Sequence, residues 1–459
     1  MNTNKPLYYP SLKVVLLYME ANKRISLSQR CPLLHKLEKL LPLRIKELKF
    51  SDFATIVNNV SYKLGIHRKD RYGPTPAYIE EINQEGGVLG DIDRYGLETN
   101  PGSKYVLPGD VVLREQLQHD EEFDVENYLR RLLQIFKKVE ENSKKLVDGN
   151  VFFNDALLGD TIMTTLTEGL PIENEDVEAI VSSFVLDPKQ YMKSIENTNN
   201  KLAPYNNRRL GVDAPYFNSI QLTISSAHRV ERVVYNAPIF QAMNYLNSVL
   251  FGGRKSAIFV KNLEITSDQQ VLRLPAGLKL KVLNLEYYNS TMSSIGALKA
   301  ILDKSSFPLN SLTLGGATDE FMDYQRSSFG EVKNLILDND FMERESWTPI
   351  LQGLNHPRVT LLYENTLEPA NDYTDLIQFW MEHKRHIGTW YTFSIIEEET
   401  VLRCLNTMKL REEVTEVSER SVTLKMTDTS NLRVSYDIVI SGGIEVRYKL
   451  ELKVIRART

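Results

Sequence analysis

The chain reads as a mixed fold, α+β in its N-terminal part and α/β in its C-terminal part. Three observations predict this. Short helical stretches with apolar faces open the chain, an apolar-x-apolar unit recurs through the second half, and the end alternates strictly between apolar and polar residues. With 459 residues, two or three domains are expected. The reading divides the chain into 1–114, helices plus a small α+β unit; 115–215, a helical segment and polar linker; and 216–459, a repeat-bearing domain closed by a β-meander.

In the first segment, Leu12, Val15, Leu16 and Met19 recur on one face of a helix, with Ser11 placed as its N-cap after Pro10. A second turn is expected from about Ile25 to Arg30, where Ser26 and Gln29 have capping-box spacing. Pro32 suits the first turn of a third helix lined by Leu33, Leu34, Leu37, Leu40 and Leu41, and Pro42 stops it. The period then changes. Arg44–Phe50 and Asn59–Arg68 alternate as strands do. From Tyr72 to Asp110 glycine and proline dominate, which is turn chemistry within a small irregular unit.

Asp124–Leu146 carries Leu129, Leu132, Leu133, Phe136 and Val139 as an apolar helical stripe, with Lys and Glu around the rest. Helical text continues to about Glu196. Asn197–Gly211, polar and turn-rich, is expected to be a linker or long loop.

In the second half, Leu263/Ile265, Leu283/Leu285, Leu312/Leu314 and Leu335/Leu337 define units 20, 29 and 23 residues apart, with a fifth near Leu361. Such spacing lies in the leucine-rich-repeat range, and Ser293–Asp303 supplies a connecting helix. The irregular spacing also suits an ordinary α/β sheet. Asp375–Gly388 is expected to be a helix capped by Gly388, Thr389–Ile396 a strand and Val401–Leu410 a helix. The alternating runs after Ser421, separated by Thr-Ser-Asn and Ser-Gly-Gly, predict an antiparallel meander.

Net charge is −5 and the isoelectric point about 5.9. A phosphate-backbone binder is normally basic, so nucleic acid is not an expected partner. No run approaches about 18 apolar residues, so no membrane span is expected. The start, MNTNKPLYYP, lacks a basic region followed by an apolar one, so no signal peptide is expected. With only Cys31 and Cys404, no disulfide framework is present, and a reducing cytoplasmic or nuclear compartment is expected. The glycosylation-type triplets at Asn59 and Asn289 are then chance matches.

Chemistry-bearing patterns are sparse. His383 and His386 sit at i, i+3, but no third or fourth ligand accompanies them, and a cationic helix end explains them. Asp91–Gly96 begins like a calcium loop, yet Tyr95 and Gly102 stand where ligands should be. Gly86–Asp91 has neither a phosphate-loop Lys-Ser/Thr nor a dinucleotide fingerprint. His119–Asp124 reads as helix-start charge, Arg208–Leu210 forms no basic patch, and both cysteines read as buried hydrophobes. No catalytic residue, metal ligand or cofactor is assigned, and the chain is read as non-enzymatic.

The order of short N-terminal helices before a repeat-bearing half resembles that of F-box proteins. Tyr9-Pro10 stands where that pattern opens with Leu-Pro. Leu12, Val14, Leu16, Leu17 and Met19 follow as the apolar set, then Arg24, Leu27 and Cys31 in similar order. The chain also resembles a nematode-expanded family related to F-box proteins. It does so through the text at Pro10–Pro32, Pro42–Phe50, Val57–Gly65, Gly86–Gly96, Pro108–Asp110, Asn236–Arg254 and Lys384–Trp390.

The resemblance implies a substrate adaptor of a cullin ubiquitin ligase. Its N-terminal helices would dock a Skp1-like adaptor through Pro10, Leu12, Val14, Leu16, Leu17 and Met19, and its repeat domain would capture a protein target. The alternatives are a family member whose helices serve only its own fold and, more remotely, an enzyme.

Overall fold

Three helices come first: α1 (Tyr9–Tyr18), α2 (Ala21–Arg30) and α3 (Pro32–Leu40). In this computed structural model the described residues are 9–99, 105–113, 125–148, 166, 180–181, 188–227, 229–266, 270–288, 292–315, 331–338, 346–362, 373–441 and 445–457. The helix starts differ from the capping signals. Ser11 lies inside α1, and Ser26 lies inside α2. The Glu20 carboxylate caps α2, accepting from the Lys23 backbone N–H at 3.1 Å. Glu20 also accepts from Asn58, so a distant turn selects the cap.

The chain continues as β1 (Arg44–Ser51), β2 (Ala54–Val57), β3 (Val60–Asp70), α4 (Ala77–Gln84) and the short strands β4 (Asp91–Ile92), β5 (Glu98–Thr99) and β6 (Val111–Val112). Gly87, at φ 92°, lies against β3 so closely that a Cβ there would meet the Ile66 backbone at 2.7 Å. The glycines of this turn therefore serve close packing onto the sheet.

Two long helices follow, α5 (Val125–Asp148) and α6 (Pro188–Leu210). The expected linker at Asn197–Gly211 is thus corrected: it is mostly the second half of α6. Tyr191, Thr198 and Leu202 are buried at helical spacing and override the turn-rich composition. Tyr191 donates to the Phe136 carbonyl at 2.6 Å, and the two rings meet edge to face. They share a separate apolar cluster with Ile135, Val139, Leu166, Ile180 and Val181. The acidic run His119–Asp124 lies outside the described residues.

The remaining elements are β7 (Tyr216–Ile224), β8 (Arg229–Val234), α7 (Ile239–Phe251), β9 (Ile258–Thr266), β10 (Val271–Leu272), β11 (Leu280–Tyr288), β12 (Leu309–Gly315), β13 (Val332–Asp338), α8 (Thr348–Gly353), β14 (Arg358–Leu361), α9 (Tyr373–His383), β15 (Trp390–Ile395), α10 (Glu398–Lys409), β16 (Val414–Val417), β17 (Ser421–Lys425), β18 (Ser430–Ser441) and β19 (Glu445–Arg456). The stretch expected to connect β11 and β12 by a helix is a 3-10 turn over Met292–Ala300. Helix α9 ends at His383, where Lys384 takes φ 48°; Gly388 sits in the following turn.

One large mixed sheet organises the molecule. Its order is β16-β17-β18-β19-β15-β14-β13-β12-β11-β9-β1-β2-β3-β7-β8. The central strands, in the order β1, β9, β11, β12, β13, β14 and β15, are all parallel. Antiparallel meanders extend both ends. Strands from the first and the last thirds of the sequence therefore share one sheet.

A single row of side chains crosses it: Leu48, Leu263, Leu285, Leu312, Leu335, Val359, Tyr391, Leu452 and Val434 are successive register partners. None is more than 2% exposed. A parallel row holds Phe50, Ile265, Tyr287, Leu314, Leu337, Leu361 and Phe393. The helices cover this face. Phe251 of α7 meets Phe50 edge to face, Trp380 of α9 meets Tyr391 at 4.7 Å between centroids, and Tyr391 Oη donates to Leu354 O.

This register corrects one repeat. Leu283 is 38% exposed, and the buried pair of its strand is Leu285/Tyr287. The reason lies in the strand's burial pattern, identical in β9 and β11: two outward residues in succession separate a first buried pair, Ile258/Val260 or Leu280/Val282, from a second. The unit is therefore apolar-x-x-apolar-x-apolar, as in Val260, Leu263, Ile265 and Val282, Leu285, Tyr287. Lys46, Lys261, Asn310 and Lys333 occupy the same outward place as Leu283 in their own strands.

Candidate functional site

Two surfaces on this frame answer to the candidate residues. The first is the N-terminal helix cluster. It is held by Arg24, which is 1% exposed. Its guanidinium donates to the carbonyls of Glu38, Leu41 and Pro42, each at 2.7 Å, and ion-pairs with the Glu38 carboxylate at 2.8 Å. Arg254, just after α7, joins the same carboxylate oxygen at 2.5 Å. The short loop from α3 into β1 thus has its carbonyls satisfied by arginine instead of water. Lys39 is buried beside this cluster and donates to Val249 O at 3.2 Å. Burial first, and then the Arg254 charge, push its ammonium down to about 8.

The inward side of α3 is accordingly Leu37, Glu38 and Lys39, while Leu33 and Leu40 face outward. Their apolar periodicity alone predicted a core stripe. A buried Glu among leucines could have signalled a paired charge, but its partners lie on α2 and after α7.

The six candidate partner-binding residues divide. Leu16 is buried at 1% exposure and belongs to the fold. Val14 and Leu17 are exposed, as are their neighbours Val15 and Tyr18. Pro10 is exposed, and Leu12 and Met19 are half-buried. The structure thus leaves an apolar side of α1 uncovered and uses Leu16 as its anchor.

The second surface is the open face of the parallel strands. Its side chains form rows in register. Glu47, Asn262, Asn284, Ser311 and Asn334 make one. Asn284 donates to Asn262 and accepts from Ser311 and Asn310, a ladder at 2.8–3.0 Å. Lys49, Glu264, Glu286 and Thr313 make the next row, and Lys49 bridges to Glu264 at 2.7 Å. A depression of 220 Å³ lies among Glu47, Lys49, Asn262, Glu264 and Glu286. Partial burial, with Glu264 and Asp338 nearby, raises the Glu286 carboxyl above its usual range. Farther along, the Tyr288 ring lies across Gly315, where any Cβ would meet it at 2.4 Å. Its hydroxyl reaches Asp338 at 3.2 Å.

The other singled-out residues stand apart from both surfaces. His383 stacks on Phe379 and bonds its carbonyl, and His386 is exposed in the next turn. Asp91 accepts from Tyr235 Oη and the Ile239 N–H, binding the start of α7. Asp93 accepts from the N–H groups of Tyr95 and Leu97. Cys404 is buried and Cys31 half-buried. Among the described residues, no group of His, Cys, Asp and Glu has metal-holding geometry, and no helix is long and apolar enough to cross a membrane.

The sheet's central section has a recognisable boundary in sequence. Residues 238–397 match the model of a domain of unknown function, DUF3557. The matched region begins at Pro238, the N-cap of α7, and ends at Glu397, the N-cap of α10. It therefore spans β9 to β15 and the helices that cover them. The chain matches no curated protein and no solved structure.

Proposed function

We propose that the chain is a non-enzymatic protein-interaction module, an F-box-like substrate adaptor of a cullin ubiquitin ligase working in the cytoplasm or nucleus. In this reading α1 to α3 dock a Skp1-like adaptor, and the open face of a leucine-rich-repeat-like stack captures a protein target. One observation carries it. Parallel strands are added in chain order from β9 to β15, each turning its apolar positions to the helices and its polar positions outward in register. Stacks of this kind present extended faces suited to protein partners. The uncovered Val14, Val15, Leu17 and Tyr18 support a partner on α1.

Co-purification of the full chain with a Skp1-like adaptor and a cullin tests the reading. Wild type should co-purify, and Val14→Asp with Leu17→Asp together should not, while both proteins give the same circular dichroism spectrum. The internal locking of α1–α3 through Leu16, Arg24 and Glu38 favours a second reading, helices that serve only this fold. Failure of the wild-type chain to co-purify would establish that one instead.

A further inference from the structure

A second cavity, of 880 Å³, lies between α4, α5, α6 and the β3–β7 pair of the sheet. Its size is that of a small-molecule site. Arg68 of β3 lines it and is only 8% exposed. The Arg68 backbone is pinned from both sides by the Asn83 amide, at 3.0 and 2.8 Å. Its guanidinium stands 5.7 Å from the Tyr216 ring centroid, and Tyr216 Oη lies 3.2 Å from Tyr78 Oη. The buried Arg68 Nε has no hydrogen-bond partner. Glu98, on the cavity wall, is exposed and acts on Arg68 only through space.

A second donor shares this state. The side-chain nitrogen of Asn200 on α6 lines the same cavity, is buried and has no partner. Buried donors, and buried charges above all, are ordinarily paired. Two uncompensated donors on one cavity call for an acceptor-rich occupant. The charge balance narrows it further. Of the charged side chains on the walls, Arg68, Lys201, Glu81, Glu85 and Glu98, only Arg68 is buried, so one negative charge is met there and a second would face the carboxylates. Aromatic side chains, including Tyr78, Tyr95 and Tyr216, supply the rest of the surface.

We propose that this cavity binds a small monoanionic carboxylate with an aromatic or other apolar body. The Arg68 guanidinium takes the carboxylate through paired N–H groups, a geometry that planar fork favours. The Asn200 amide meets an acceptor on the same ligand, and the tyrosines hold its body. The site is independent of adaptor docking and of the open sheet face.

Isothermal titration of the full chain tests this with 1-naphthaleneacetate, the neutral 1-naphthaleneacetamide and the dianionic 1-naphthyl phosphate. The acetate should bind at least about tenfold more tightly than the amide and more tightly than the phosphate. Arg68→Met should erase the preference for the acid over the amide without lowering Tm, since it removes a buried guanidinium whose Nε has no hydrogen-bond partner. Asn200→Ala should weaken the acetate. Equal binding of acid and amide, no binding of either, or tighter binding of the phosphate would overturn the proposal. So would an unchanged preference in Arg68→Met. If that variant does not fold, the wild-type comparison and Asn200→Ala decide alone.

Discussion

Arg24 and Glu38 meet at 2.8 Å, with side chains 1% and 0% exposed. They join α2 to the end of α3, and Arg254 ties Glu38 to the chain just after α7. Breaking a buried pair by removing one member leaves the other charge uncompensated. Glu38→Ala, which strands two guanidinium groups, is expected to destabilise the fold by about 3–5 kcal/mol. Urea unfolding measures it, and a loss under about 1 kcal/mol would show that water already solvates the cluster.

Lys39 gives this cluster a pH signature. Its folded pKa is lowered to about 8 from the ordinary 10.5, by burial first and then by Arg254. Between those values the unfolded chain holds a proton that the folded chain has released. Stability contributed by this group therefore rises with pH across that window, by up to about 1.4 kcal/mol per pH unit. Below about 8 the charged ammonium burdens the fold. The difference in unfolding free energy between wild type and Lys39→Met, followed from pH 7 to 10, should change in favour of wild type. A pH-independent difference would place the ammonium in water.

Leu16 and Leu17 are neighbours with opposite duties. Leu16→Ala should cost about 2–5 kcal/mol, the range for a buried leucine. Leu17→Ala should stay within about 0.5 kcal/mol, as exposed positions do. Equal losses by thermal or urea denaturation would contradict the placement of α1.

The repeat phase gives the same kind of contrast within one strand. Leu285→Ala is expected to destabilise by about 2–5 kcal/mol, whereas Leu283→Lys, which copies Lys261 and Lys333 at the matching place, should be nearly neutral. If Leu283→Lys is the more damaging, the phase is wrong.

Gly315 is the crossing point for Tyr288. Gly315→Val forces the ring off its path and breaks its bond to Asp338. A loss of about 1–3 kcal/mol is expected, as for other forced side-chain displacements. Gly315→Val combined with Tyr288→Ala should recover part of it, because the clash then disappears.

Much of this architecture is legible in local text. Strands at 44–51, 60–70 and 421–456 and the helix at 125–148 follow from periods of two and 3.6, which neighbouring residues alone express. The repeat units are legible as apolar pairs near the right places. Their phase is not, because Leu283 and Leu285 are chemically alike and only the partner strand tells inside from outside. α6 is masked by its asparagines, whose turn preference yields once Tyr191 and Leu202 find α5 and its neighbours.

Most classes of element, the second half of α6 and the 3-10 turn after β11 apart, and the lack of any recognisable catalytic motif are thus written in the amino acids alone. Folding had to decide that β1 pairs with β9, that Arg24, Glu38 and Arg254 share one buried site, and that Arg68 lines a cavity with its buried Nε unpaired. The difference is one of range. Periodicity is written between residues a few places apart, whereas charge pairing, register and cavities depend on segments that meet only when the chain has folded.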